Sequence, residues 1–322
     1  MILDTGSDVT WVQCAPCERC YHQLNPIFNP NSSSSYSPLS CDSPLCESLD
    51  QSQCSNGDNC LYQVEYGDGS FTVGDFVTET VTLGTDSVTG IAIGCGHNNQ
   101  GLFTGAAGVL GLGGGSLSFT AQLNTTSFSY CLVDYGSESA STLEFDTPFP
   151  SNAVTAPLRF NPNYDTFYYV ELVGIGVAGE LLPIPESVFQ LDHDGNGGFI
   201  VDSGTAVTML QNEVYNLLRD AFKRETERLP AAEGVSILDT CYDLSTMTNV
   251  AVPIVSFHFP EGKVLELPAI SYLIPVDSEG TFCFAFAPTN STVSIIGNFQ
   301  QQRTRVSFDL DNSLVGFSVD SC

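Results

Sequence analysis

Basic residues are scarce in this chain of 322 residues, which has nine Lys and Arg against 37 Asp and Glu. Proteins that bind nucleic acid neutralise phosphates with Lys and Arg, so a net charge of −28 argues against such a partner. The sequence also lacks any apolar run near the ~18 residues of a membrane span. We therefore expect neither a nucleic-acid partner nor a membrane-spanning helix.

The acidic excess, with a pI near 4.1, allows two interpretations. A large net charge favours solubility in general. It also suits a protein that works in acidic surroundings, because many carboxylates are protonated there and few bases are present to build up positive charge. Composition alone leaves both interpretations open.

Several common catalytic signatures are missing. The four histidines, His22, His97, His193 and His258, form no triad pattern, and neither Gly-x-Ser-x-Gly nor HExxH occurs. The glycine-rich run that begins at Gly111 is not followed by the lysine of a phosphate-binding loop. We therefore interpret that run as tight packing.

Helical periodicity is equally scarce. It predicts one long helix over Asn212–Leu229, with an apolar face that includes Leu217, and a short one over Ser118–Leu123. Short β-prone runs bounded by turn residues predict strands at Leu61–Tyr66, Phe76–Leu83, Ile91–Gly94, Tyr168–Val177, Ile254–Phe259 and Arg305–Leu310. An irregular stretch, Pro148–Pro162, divides this mainly β chain into residues 1–150 and 151–322.

Cysteine, by contrast, is abundant, with twelve residues. Cytosolic proteins rarely carry so many, and three glycosylation sequons, at Asn31, Asn124 and Asn290, fit the same oxidising route. We expect a protein of the secretory pathway, in the extracellular space (apoplast), the vacuole or the ER. Asp4 and Asp8 interrupt what would be the apolar core of a signal peptide, so we do not expect this stretch to be one.

The most informative feature is an internal repeat. Ile2–Val12 reads ILDTGSDVTWV and Ile200–Leu210 reads IVDSGTAVTML, with five of eleven positions identical. A second, weaker repeat follows each copy, GVLGLG from Gly108 and SIIGNF from Ser294. The simplest account is a duplicated fold with one Asp motif in each copy.

Two aspartates brought close together would share a proton, because two adjacent carboxylates do not both ionise readily. One carboxylate then serves as general base towards a water while the other donates to a carbonyl oxygen. Gly6 and Gly204 permit tight turns. Neighbouring hydroxyls, Thr5, Ser7, Ser203 and Thr205, can hold the carboxylates or the two loops.

The paired motifs at Asp4 and Asp202 resemble those of the pepsin-like aspartic proteases. Tyr66-Gly-Asp-Gly-Ser70 is similar to the flap of that family, Trp11 to the tryptophan beside the flap tyrosine, and the stretch 294–318 to its C-terminal segment. The resemblance implies a mainly β, bilobal fold with an active-site cleft between two related lobes. It also implies an endopeptidase that is active at acidic pH.

The resemblance assigns roles to individual residues. The catalytic pair is Asp4 and Asp202; the loop supports are Thr5, Gly6, Ser7, Ser203, Gly204 and Thr205; the substrate-binding residues are Trp11, Tyr66, Gly67, Asp68, Gly69 and Ser70. Trp11 and Tyr66 are expected to line an apolar subsite. The implied protein is a monomer that takes protein or peptide substrates and needs neither cofactor nor metal.

Seven cysteines before the flap form an insertion that resembles the nepenthesin-like subgroup of plants. The resemblance implies the disulfides Cys14–Cys17, Cys20–Cys95, Cys41–Cys60, Cys46–Cys54, Cys131–Cys322 and Cys241–Cys283. The Cys-x-x-Cys-x-x-Cys run could instead bind zinc or an iron–sulfur cluster. The stretch from Asp192 hints at a calcium loop, but its twelfth position is Ser203 and not glutamate, so we interpret it as a polar turn.

Two alternatives to an active protease remain. Plants have pepsin-like proteins, xylanase inhibitors among them, that bind targets without catalysis. Family members also carry an N-terminal strand before the first Asp motif, which is missing here, so a truncated, less stable and inactive form of the protease is the second alternative.

Overall fold

The computed structural model describes residues 1–103, 105–134, 137, 139–319 and 322. They form two compact units, Met1–Thr125 and Thr126–Cys322. This division lies earlier than the one predicted at residue 150. The reason is strand pairing, because the strand Ser127–Cys131 pairs along its whole length with Thr304–Asp309 in the second unit.

The first unit is built on one eight-stranded sheet. Its strands are β1 (Ile2–Asp4), β2 (Trp11–Gln13), β3 (Ser37–Pro38), β4 (Ser52–Cys54), β5 (Cys60–Glu65), β6 (Phe71–Leu83), β7 (Asp86–Gln100) and β8 (Gly108–Gly111). The order is β1-β8-β2-β7-β6-β5-β4, with β3 paired to β6. The short helices α1 (Pro44–Glu47) and α2 (Phe119–Leu123) belong to the same unit. Strand β8 pairs with both β1, in parallel, and β2, in antiparallel direction. It therefore lies between the two strands that flank the first Asp motif.

The hairpin of β6 and β7 is longer than the sequence predicted. Residues of β6 alternate between buried and partly buried, the pattern of a strand with one face in a core. The predicted strand began at Phe76, whereas β6 begins at Phe71. In the structure Gly74 marks a register shift where a Cβ would lie 1.9 Å from the carbonyl oxygen of Cys95. The glycine therefore permits a close backbone approach inside a continuous strand.

The second unit contains three sheets. Its strands are β9 (Ser127–Cys131), β10 (Thr142–Phe145), β11 (Val154–Arg159), β12 (Tyr169–Val170), β13 (Gly174–Val177), β14 (Glu180–Leu181), β15 (Phe199–Val201), β16 (Thr208–Gln211), β17 (Ala231–Ala232), β18 (Cys241–Asp243), β19 (Val255–His258), β20 (Val264–Glu266), β21 (Leu273–Pro275), β22 (Thr281–Phe284), β23 (Phe286–Thr289), β24 (Ser294–Ile296), β25 (Thr304–Asp309) and β26 (Leu314–Val319). A ten-stranded sheet has the order β10-β9-β25-β26-β11-β12-β15-β24-β16-β23. Two four-stranded sheets have the orders β14-β13-β19-β20 and β17-β18-β22-β21. Within the large sheet, β24 runs parallel to β15 and antiparallel to β16, which repeats the arrangement of β1, β8 and β2.

Two helices, α3 (Asn212–Glu225) and α4 (Asn298–Gln301), belong to the second unit. Helix α3 buries the apolar face that the sequence predicted, except that Leu217 is 37% exposed and Tyr215 is buried in its stead. The helix ends at Glu225 and not at Leu229. There the Thr226 hydroxyl donates to the carbonyl of Phe222 at 2.7 Å, a side-chain bond that competes with helix continuation.

All twelve cysteines pair, so no thiolate is left for the zinc or iron–sulfur alternative. The predicted pairs Cys131–Cys322 and Cys241–Cys283 are confirmed. The other four predicted pairs are wrong. The structure instead joins Cys14–Cys95, Cys17–Cys20, Cys41–Cys54 and Cys46–Cys60.

Sheet register explains the corrected pairs. Strand β2 pairs with β7 so that Val12 faces Cys95, and the amide of Cys14 then donates to the carbonyl of Gly96 at 2.9 Å. The pairing of β2 with β7 therefore places Cys14 close enough to Cys95 to form the disulfide. In the insertion, Cys46 of α1 and Cys60 of β5 are buried in the same core cluster. Such proximity depends on strand pairing and could not be read from cysteine spacing.

Among the described residues, no helix is both long enough and apolar enough to cross a membrane.

Candidate active site

Asp4 ends β1 and opens a tight turn, where it is 5% exposed. The Gly6 amide donates to Asp4 Oδ1 at 2.9 Å, and Ser7 Oγ donates to Asp4 Oδ2. The carbonyl of Asp4 accepts from the amide of Leu112, which follows β8, at 2.8 Å. Two residues predicted as supports therefore hold one carboxylate oxygen each.

Asp202 follows β15 in the second unit and is 8% exposed. The Gly204 amide donates to Asp202 Oδ1 at 2.7 Å, and Thr205 Oγ1 donates to Asp202 Oδ2 at 2.5 Å. The amide of Asn298 binds the Thr205 carbonyl at 2.7 Å, and its side chain donates to the Ser203 carbonyl at 2.9 Å. Each unit thus presents one carboxylate held by one amide and one hydroxyl.

Two threonines extend this correspondence beyond the predicted site. Thr10 Oγ1 accepts the amide of Gly111 at 3.1 Å, and Thr208 Oγ1 accepts the amide of Gly297 at 3.0 Å. A Cβ on either glycine would approach backbone atoms of the Asp motif, to 2.2 Å in the first unit and 2.4 Å in the second. The Val-Thr pair that both copies of the repeat share was the available sequence signal for these threonines.

The predicted flap is the turn between β5 and β6. The Tyr66 amide binds the Ser70 carbonyl at 2.8 Å, and Gly69 has a φ of +83° that favours glycine. The Asp68 carboxylate accepts from the Ser70 amide at 2.8 Å and from its hydroxyl at 2.7 Å. Gly67, Asp68 and Gly69 are exposed, so the tip offers backbone groups to a ligand.

Tyr66 connects the flap to the first Asp motif. Trp11 Nε1 donates to the Tyr66 hydroxyl at 2.7 Å, and that hydroxyl also interacts with Ser7. Burial raises the pKa of Tyr66 above its ordinary value, and the negative charge of Asp4 adds to the increase. Tyr66 therefore remains a protonated donor. Trp11 is fully buried, so it supports Tyr66 from within the core and offers no exposed surface of its own.

Sequence reasoning missed two aromatic residues beside the flap. The ring of Phe103 lies 5.1 Å from that of Trp11 and 5.5 Å from those of Tyr66 and Tyr21. Burial raises the pKa of Tyr21 to about 12. Phe103 lies in an irregular loop with no periodic pattern, so the sequence carried no signal for its position.

The remaining predicted residues fall into three groups. Thr5 and Ser203 of the two Asp motifs are buried. The three sequon residues Asn31, Asn124 and Asn290 are exposed, and their glycosylation stays a prediction. The loop from Asp192 is a polar turn before β15, as predicted, because Asp192 Oδ1 accepts the amides of Asp194 and Asn196, each at 2.8 Å.

Comparison with known proteins gives two family matches. The family model described as "Xylanase inhibitor N-terminal" matches residues 1–145, and "Xylanase inhibitor C-terminal" matches residues 167–319. The chain is 50% identical to Protein ASPARTIC PROTEASE IN GUARD CELL 2 of Arabidopsis thaliana, over all of this chain and 69% of that protein. It is 43% identical to aspartic proteinase nepenthesin-2 of Nepenthes gracilis, over all of this chain and 74% of that protein.

Solved structures agree on the fold. The crystal structure titled "edgp" superposes with a TM-score of 0.76 at 20% identity and covers 99% of this chain and 87% of its own. Basic 7S globulin from soybean superposes with a TM-score of 0.73 at 21% identity, over 98% of this chain and 88% of its own. These likenesses and the strand-rich architecture confirm the predicted mainly β, two-lobed fold.

The internal repeat, the flap and the similarity to plant proteases over the whole of this chain point to one family. The chain belongs to the pepsin-like aspartic proteases of plants, in the nepenthesin-like subgroup.

Proposed function

We propose that this chain is an aspartic endopeptidase that hydrolyses peptide bonds at acidic pH, with Asp4 and Asp202 as the catalytic pair. The observation that carries the proposal is the matched environment of the two carboxylates. In each unit a glycine amide binds one carboxylate oxygen and a hydroxyl at the third following residue binds the other. A turn aspartate without a function would not require the same set of donors twice.

The chemistry follows from two carboxylates that share one proton. The ionised carboxylate removes a proton from a water, and the protonated one donates to the carbonyl oxygen of the scissile bond. The water oxygen attacks the carbonyl carbon to form a tetrahedral intermediate. As that intermediate collapses, the carboxyl that took the proton from water gives it to the leaving nitrogen, the other carboxylate takes back the hydroxyl proton, and the C–N bond breaks to release the amine. Because the carboxylates supply both acid and base, the mechanism needs neither a covalent acyl-enzyme nor a cofactor.

The flap is the substrate-closing element in this proposal. Its exposed backbone at Gly67–Gly69 would bind an extended peptide, and Tyr66 would contact the substrate near the scissile bond. The plant protease relatives and the six disulfides fit a protein of the secretory pathway. Within that pathway we propose the apoplast or the vacuole as the place of action, and a monomer as the active form.

Cleavage of a denatured protein at acidic pH tests the proposal directly. Asp4→Asn and Asp202→Asn should each lower kcat at least about a hundredfold, because a catalytic acid or base is lost. Asp86→Asn, at the exposed first residue of β7, is the matched control and should cleave normally. A transition-state mimic of the pepstatin type should inhibit the wild type. Full activity of Asp202→Asn would refute the mechanism.

A second candidate function is non-catalytic binding, which the two family models named for xylanase inhibitors favour. In that case the fold would present loops to a glycosidase without cleaving anything. Absence of pepstatin-sensitive cleavage, together with binding to a xylanase in titration calorimetry, would support this function over proteolysis.

A further inference from the structure

The segment Gly101–Phe103 lies directly against the base of the flap. The Leu102 amide donates to Ser70 Oγ at 3.2 Å. A Cβ on Gly101, whose φ is +139°, would lie 2.0 Å from Ser70 Oγ and 2.2 Å from Ser70 Cβ. The absence of a side chain at Gly101 therefore lets the segment touch the residue where the flap begins its return strand.

Phe103, the last residue of this segment, packs against the flap tyrosine. It is 6% exposed, and its ring meets those of Trp11 and Tyr66 nearly edge-on, with interplanar angles of 81° and 71°. Edge-to-face contacts fix the relative orientation of rings more closely than apolar contact alone. Phe103 thus contacts both partners of the Trp11–Tyr66 hydrogen bond.

We propose that the segment Gly101–Phe103 sets the resting position of the flap and that Phe103 is a positioning residue for Tyr66. The hydrogen bond from Trp11 fixes the distance between the Tyr66 hydroxyl and the indole, and the Phe103 ring fixes the orientation of the Tyr66 ring. Gly101 and Leu102 hold the base of the flap at Ser70. The effect of this positioning on catalysis rests on the proposed endopeptidase function.

The consequence for cleavage is a change in turnover more than in binding. A flap tyrosine that is packed in place holds the substrate in register with the reacting groups, and displacements of ~1 Å there cost up to about a hundredfold in rate. Loss of the Phe103 ring should therefore lower kcat about tenfold while KM changes less than about threefold.

Trp11 supplies a readout that does not depend on activity, because it is the single tryptophan of the chain. In Phe103→Leu the smaller side chain leaves room for water beside the indole of Trp11, so the fluorescence emission of Trp11 should shift to the red. Phe76→Leu is the matched control: Phe76 is 1% exposed in the same core cluster, and its nearest ring partner is Tyr62. That variant should be destabilised without a shift in emission and without a fall in kcat. Phe103→Tyr keeps the aromatic ring, so both the emission of Trp11 and kcat should stay near their wild-type values.

A second pair of variants tests the backbone contact. Gly101→Ala places its Cβ on Ser70 and should lower kcat and shift the emission of Trp11. Gly105→Ala is its control, since Gly105 also has a positive φ, +81°, but a Cβ there meets only the side chain of Leu24, at 3.8 Å or more. Both alanines carry backbone strain, and only the first touches the flap.

The two readouts separate the failure of this inference from the failure of the proposed function. Unchanged emission and unchanged kcat in folded Phe103→Leu or Gly101→Ala would overturn the inference. If the wild type does not cleave, the emission shifts of these variants against their two controls still decide whether the segment positions Tyr66. If Phe103→Leu does not fold, the comparison of Gly101→Ala with Gly105→Ala gives the same decision.

Discussion

At the scale of single residues, the two Asp motifs are equivalent in geometry but differ in their connections. Ser7 and Thr205 each donate to the Oδ2 atom of the aspartate in their own unit, Asp4 and Asp202 respectively. Ser7 also interacts with the flap through the hydroxyl of Tyr66. The hydroxyl of the first motif therefore serves both the carboxylate and the flap.

This difference leads to a prediction for the two hydroxyls. Ser7→Ala and Thr205→Ala each remove a hydrogen bond to a carboxylate, a loss of about 1.5–3 kcal/mol, and should lower kcat about 10–100-fold. Steady-state cleavage of a peptide substrate measures it. Ser7→Thr and Thr205→Ser are the controls, because each introduces the residue that the other unit already uses, and they should stay near wild type. Wild-type kcat in Ser7→Ala would contradict the support role.

At the scale of elements, the loop that follows β2 is tied to the sheet by His97. Its Nδ1 lies 2.9 Å from the carbonyl of Pro16, and its Nε2 lies 3.1 Å from the carboxylate of Asp75 on β6. Both partners are acceptors, so the doubly protonated imidazolium satisfies both contacts. The carboxylate of Asp75 raises the pKa of His97, with a further contribution from the Pro16 carbonyl against the opposing effect of burial.

The folded-state pKa of His97 is raised, so its stabilising contribution is complete below the ordinary histidine value of 6.5 and is lost as pH rises through the folded value. His97→Gln should therefore destabilise the protein most at pH 5–6 and progressively less towards pH 8. Denaturant unfolding at several pH values measures the difference. His193→Gln, at an exposed histidine in the second unit, should show no such trend. A constant difference from pH 5 to pH 8 would speak against the imidazolium contact.

The close backbone approaches at Gly111 and Gly297, the equivalent glycines of the two units, give a prediction for stability. Gly111→Ala and Gly297→Ala place a Cβ within 2.2 Å and 2.4 Å of backbone atoms. Each should destabilise the fold by about 3 kcal/mol or more, the upper range for overpacking. Gly57→Ala is the control, because its Cβ would meet nothing nearer than 3.9 Å. Thermal unfolding of the three variants measures the difference. A Gly297→Ala protein as stable as the wild type would show that the backbone around Gly297 relaxes more easily than the short distance implies.

The same elements show how far the sequence leads. The repeat predicted the local environment of Asp4 and Asp202, because a strand, a turn and a hydroxyl at fixed spacing are local features. The partners of Cys14 and Cys46 depend on which strands lie side by side, and no local pattern encodes that register. Phe103 was missed for the same reason, since its contacts with Trp11 and Tyr66 join residues that are distant along the chain.

At the scale of the whole molecule, charge is the dominant property. The net charge of −28 is distributed over both units, and Arg19 is the only Lys or Arg of the first unit. Among the described residues, the ion pairs to carboxylates include Arg159 with Glu171 and Arg305 with Glu144. Nine bases cannot neutralise 37 acids, so at neutral pH the folded chain carries substantial self-repulsion.

Self-repulsion of this size predicts a stability that depends on salt at pH 7 and not near the pI of 4.1. Raising NaCl from 0.01 to 0.1 M shortens the screening length from about 30 Å to about 10 Å and weakens repulsion between carboxylates. If screening restores ~1 kcal/mol, Tm of this 322-residue chain should rise by about 1–2 °C at pH 7. At pH 4 many carboxylates are protonated and Tm should hardly respond. Calorimetry at both pH values measures this, and an equal rise at pH 4 would mean that salt acts through apolar burial and not through charge.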